Sequence, residues 1–145
     1  MIKNVLICIY LLLNNNDEPL FVKEFHNLKT KHKEQLYLDK YQNDNNINVQ
    51  AYIIALQMKK AEYTWNPIKK IQIFKKQKQR LNHLITNNPN NIHFRYIRLL
   101  LQEKIPQLLN YHKNTQEDKQ KLNNWLSKKD STDYLDIYIK QNTTL

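Results

Sequence analysis

The chain has 145 residues, and its 23 Lys+Arg against 13 Asp+Glu give a formal net charge of +10 at pH 7. That length suits one domain of ~50–200 residues, and at 41% hydrophobic the chain is rich enough in Ile, Leu and aromatic residues to bury a core. The absence of glycine excludes phosphate-cradling loops, dinucleotide fingerprints and nucleophile elbows, and the single cysteine, Cys8, excludes an intramolecular disulfide or a multi-cysteine metal site.

At the N-terminus Lys3 precedes the apolar run Val5 to Leu13, nine residues long. A helix needs ~20 residues to cross a bilayer, so the run does not span one. It fits an export h-region, yet Asn14-Asn15-Asn16-Asp17-Glu18-Pro19 offers no small-x-small cleavage site. Ile7 stands before Cys8, where a lipoprotein signal wants a small residue. Residues 1–16 are therefore expected to be a short element packed on the body or a degenerate export signal, with 17–145 forming one domain.

Proline and asparagine clusters divide the remainder into segments of helical length. Glu18 to Asn43 reads as two short helices or one bent one, followed by the capping loop Asn43-Asp44-Asn45-Asn46. Val49, Tyr52, Ile53 and Leu56 recur at helical spacing from Ile47 to Tyr63. Pro67 ends that helix near Trp65 and starts the next, with Asn66 as its N-cap. This second helix runs to about Thr86 and is amphipathic, with Ile71, Phe74, Leu81, Leu84 and Ile85 on its buried side. Asn87-Asn88-Pro89-Asn90-Asn91 is a turn, Ile92 to Lys104 a helix ended by Pro106. Thr115 and Asp118 have the spacing of a capping box ahead of Leu122, Trp125 and Leu126. Asp130-Ser131-Thr132 opens a last helix through Tyr134, Leu135, Tyr138 and Ile139. The expected fold is all-α, with five to seven helices in antiparallel hairpins around Tyr52, Leu56, Ile71, Phe74, Leu81, Ile97, Leu100, Leu122 and Trp125.

Few residues point to chemistry. Lys59 to Arg80 carries +7 of the net charge, including Lys69, Lys70, Lys75, Lys76, Lys78 and Arg80, and such a stripe attracts nucleic acid or an anionic membrane. Tyr63, Trp65 and Phe74 lie close enough in sequence to supply stacking, although a solvated lysine face over core aromatics is the simpler reading. With 20 Lys against 3 Arg and abundant Asn, the chain looks like the product of an AT-rich genome, and charge of that origin needs no functional explanation. Trp65 suits either a partner anchor or, more commonly, a plug under the turn. Arg95 and Arg98, three apart on one helix, suit a carboxylate or phosphate of a partner, or pairing with Glu62 or Glu103. His26, His32, His83, His93 and His112 lack metal spacing, although His83 and His93 flank one turn. Glu117 and Asp118 are explained by a helix first turn, and Ser127 and Ser131, the only serines, sit near helix ends. No cofactor, metal or small-molecule substrate is indicated.

The blocks Ala61 to Lys70, Asn87 to Arg98 and Pro106 to Tyr111 resemble a family of small, uncharacterised bacterial proteins with tetratricopeptide-like helical content. The similarity spans Lys31 to Lys140, with Glu117-Asp118-Lys119 following the proline elbow. Pro89 fits the repeat pattern, whereas Gln77 and Leu99 stand where small residues are usual, and no 34-residue period is visible. The resemblance implies a degenerate hairpin stack and no catalytic residues. Family members often begin with an export signal, which tips the expected location toward the periplasm or envelope over the cytoplasm. The leading expectation is a non-enzymatic protein-interaction or scaffold module using Trp65, Arg95 and Arg98. The alternative is an electrostatic binder of nucleic acid or anionic membrane through residues 67–86.

Overall fold

The computed structural model describes residues 18–145, so the apolar run, Cys8 and the export signal expected in 1–16 lie outside the described residues. The described residues are helical, with no strand among them. The helices are α1 (Leu20–His26), α2 (Lys31–Tyr41), α3 (Ile47–Lys59), α4 (Pro67–Asn87), α5 (Ile92–Lys104), α6 (Thr115–Leu126) and α7 (Asp136–Asn142). Short 3₁₀ turns occupy Lys60–Tyr63, Gln107–Leu109 and Asp133–Leu135.

Asparagine starts three of these helices in the way glycine-free punctuation requires. The side chain of Asn46 accepts from the Asn48 amide at 2.9 Å, Asn66 from Ile68 and Lys69 at 3.0 and 3.2 Å, and Asn91 from Phe94 at 3.3 Å. Each satisfies an amide that the helix leaves without a partner. Pro67 at the first position of α4 has no such amide to satisfy. The one left-handed residue described is Asn110 (φ 49°), closing the turn after Leu109. Asparagine tolerates that region better than any other residue with a Cβ.

Two helices form the interior. Nearly all of α3 from Val49 to Met58 is buried, and every residue of α5 from Ile92 to Gln102 is buried. Helices covered on all sides lie inside a fold. Here α3 packs on α2, α4 and α5, while α5 packs on α3, α4 and α6. Helix α1 adds Phe21 and Val22, fixed to α2 by the Tyr37 hydroxyl, which donates to the Phe21 carbonyl at 3.0 Å.

Three expectations are corrected. Ile71 is 45% exposed, because the first half of α4 overhangs a cleft and core contact begins at Phe74. Trp125 is half-buried at the margin of the core and borders a shallow depression with Asn90 and Lys128. The last helix opens later than expected: Asp130 caps the amide of Thr132, and a 3₁₀ turn precedes α7.

The contrast between Leu99, fully buried in α5, and Ile71 sets an expected difference in stability. Leu99→Ala should cost ~2–5 kcal/mol through lost burial and a cavity, and Ile71→Ala less than about 1 kcal/mol. Urea unfolding midpoints of the two variants check this.

Candidate functional site

Arg95 and Arg98 are buried and face inward, so the structure removes them from any partner surface. Their counterion is neither Glu62 nor Glu103 but Asp118, 0% exposed in the first turn of α6. Arg98 grips its carboxylate with Nε at 2.6 Å and Nη2 at 2.7 Å, and Arg95 adds Nη1 at 3.0 Å. The same Arg95 Nη1 reaches Glu117 at 2.6 Å, and its Nε donates to the Pro89 carbonyl at 3.0 Å. Burial works against the Glu117 charge, but the hydrogen bond and charge of Arg95 outweigh it and hold the carboxyl below its usual range. Two guanidinium and two carboxylate charges cancel, and the cluster ties the Pro89 turn, α5 and α6 together. The capping-box reading of Thr115 and Asp118 is corrected with it. Thr115 lies inside α6 and donates its hydroxyl to Gln102 at 2.9 Å, and α6 has no side-chain cap at Asn114. Glu103 instead holds Lys119 and the Thr144 amide.

His93 and His26 are also structural. His93 hydrogen-bonds the Tyr52 hydroxyl through Nδ1 at 2.8 Å and the Tyr134 hydroxyl through Nε2 at 3.0 Å. His26 stacks on Tyr138 with ring centroids 3.9 Å apart. His83 pairs with Asn87 on the surface, away from the partners of His93. Desolvation pushes His93 down to about 4, and burial aided by the Lys104 charge does the same to His26. Among the described residues no three of His, Cys, Asp and Glu gather as metal ligands would.

What remains outward is α4. Its sequence contains no acidic residue, and among the described residues Lys69, Lys70, Lys75 and Lys76 are exposed and outside any ion pair. Arg80 is turned inward, donating to Gln57 at 2.6 Å and Gln77 at 2.9 Å, and Lys78 lies over the Phe74 and Tyr111 rings. These two are spent within the fold. Ile68, 67% exposed, stands among the lysines. Trp65 is 91% exposed, which overturns its reading as a plug. Beneath the turn Tyr63 folds back to donate to Glu34 at 2.8 Å and Lys59 closes on the same carboxylate, while Trp65 borders an open cleft of about 570 Å³ that Leu38 and Leu56 also line. Thr64 then continues in extended conformation and leaves the indole outside. Phe74 is buried and Tyr63 is engaged, so Trp65 alone of the three aromatics offers a free face. Sequence reasoning missed Asp118, Glu34 and Ile68 as participants. The partners of Asp118 and Glu34 are 20 to 29 residues away in sequence, where spacing carries no signal, and the exposure of Ile68 depends on which side of α4 meets the core.

Removing one member of a buried ion cluster strands the others. Asp118→Ala is expected to lose ~3–5 kcal/mol in urea unfolding, and Glu117→Gln, at the exposed edge, less than about 1 kcal/mol. A second outcome concerns pH. Histidines held neutral when folded bind protons more readily when unfolded, so their contribution is complete above about pH 6.5 and is lost as pH falls toward 4. The unfolding free energy should therefore decline over this window, at most about 1.4 kcal/mol per pH unit for each histidine. Urea titrations at a series of pH values measure the slope.

No family model matches the chain, and no curated protein or solved structure is significantly similar to it, which leaves its own residues as the guide to function.

Proposed function

We propose that this protein is a non-enzymatic docking module that meets an anionic membrane surface through the outer face of α4. The observation that carries the reading is the combination on one face of Lys69, Lys75 and Lys76, outside any ion pair among the described residues, with exposed Ile68 and, just before the helix, Trp65. Clustered cations alone suit any polyanion. Apolar and indole side chains standing among them suit an interface where lipid headgroups overlie hydrocarbon. Nucleic acid is less well served, since phosphate recognition favours arginine and base stacking wants several free aromatic faces. Here Arg80 is turned inward and Trp65 is the one free ring of its group. No described helix is long and apolar enough to cross a membrane.

A second reading, a tetratricopeptide-like scaffold for a protein partner, draws support from α3 packing on both α4 and α5, as the first helices of successive hairpins do.

Sedimentation with vesicles of phosphatidylglycerol and phosphatidylcholine tests the membrane reading. Binding is expected at low salt and should fade as salt rises. With about 1 kcal/mol per lysine near such a surface, Lys69→Gln/Lys75→Gln/Lys76→Gln should weaken it on the order of a hundredfold. In a Trp125→Phe background, Trp65 emission should shift to the blue on binding. Absence of vesicle binding by the native chain, or equal binding by the triple variant, would overturn the reading, and saturable capture of an acidic protein by the same face without vesicle binding would favour the scaffold.

A further inference from the structure

Beneath the first half of α4 lies a half-open cleft of about 600 Å³, shared with α1, α3, α5 and the Pro106 elbow. Small-molecule sites span ~300–1,000 Å³. The walls are apolar, with Leu56 and Met58 from α3, Ile71 and Phe74 from α4, Leu101 from α5 and Leu109 from the elbow. Lysines line it from three helices. Lys59 is committed to Glu34, whereas Lys70 of α4 and Lys104 of α5 are outside any ion pair among the described residues. The remaining carboxylate on the cleft is exposed Glu62. Lys70 and Lys104 against Glu62 leave one net positive charge beside a hydrocarbon-lined space. His26, also on the lining, is neutral at pH 7 and does not alter that balance.

We propose that the cleft binds one long-chain carboxylate, with its tail along Leu56, Met58, Phe74 and Leu101 and its head held by Lys70 and Lys104. The single net charge matches a monoanion. No guanidinium lines the cleft to grip a phosphate in fork geometry. A purely apolar occupant would make no use of the two exposed lysines, whereas a carboxylate head can pair with both. The site is separate from the outer face of α4, because Lys69, Lys75 and Lys76 do not line it.

Palmitate titrated into the full chain, in competition with fluorescent cis-parinarate, tests the proposal. Saturable one-to-one binding below the micelle concentration is expected. Lys70→Gln/Lys104→Gln should weaken palmitate by about tenfold, while hexadecanol, its uncharged analogue, binds both proteins alike and more weakly than palmitate binds the native chain. Ile71→Glu, at the exposed lip, should block both ligands, with circular dichroism checking that the variant folds. Palmitate that fails to saturate, that binds the double variant as tightly as the native chain, or that hexadecanol equals in affinity would overturn the proposal. The triple variant at Lys69, Lys75 and Lys76 should keep full palmitate affinity, so this site and the membrane face stand or fall separately.

Discussion

Asp118 is the point on which the arrangement of α5 and α6 depends. A carboxylate with no exposure to water is tolerable only when its oxygens are fully engaged, and the fork of Arg98 together with Arg95 does this from the facing helix. The partners are matched in both directions, since the two guanidinium groups are buried as deeply and need the carboxylates as much. Through the Arg95 contact to Pro89 the same cluster fixes the turn that delivers α5 into the interior. Shifting α6 along α5 would leave these buried charges unpaired, so the cluster disfavours any register but the one observed.

The division of labour among charged residues follows from that placement. Guanidinium groups are used inside: Arg95 and Arg98 at Asp118, Arg80 between Gln57 and Gln77. Lysines are used outside, where a flexible stem and a compact charge keep their water. Glu34 is the exception, because its buried carboxylate draws in both Lys59 and Tyr63 while Trp65, two residues further on, stays exposed.

How far the sequence carried the fold depends on the range of the interaction. Asn66, Pro67, Asn91 and Pro106 act on amides and dihedrals within a few residues, and the helix ends they mark were legible from local chemistry. The periodic face of α4 correctly identified Phe74, Leu81 and Ile85 but also took in Ile71, because periodicity gives direction around a helix and not what stands opposite. For the same reason neither expectation for Arg95 and Arg98, a partner's anion or pairing with Glu62 or Glu103, pointed to Asp118. Which carboxylate faces them is set by how α6 folds back. Near-complete burial of α5 was hidden by its own His93, Arg95, Arg98 and Gln102, whose partners lie elsewhere in the sequence.

The glycine-free backbone has a further consequence that no contact displays. Every residue in the chain carries a Cβ or a ring, and the single left-handed position described is held by Asn110. Glycine-bearing chains gain the most conformational freedom when they unfold, and a chain without glycine gains less at each turn and linker. The denatured ensemble of this protein is accordingly narrower, and the folded state has less disorder to outweigh. Part of its stability resides in the restricted freedom of the unfolded chain and not in any interaction of the native one.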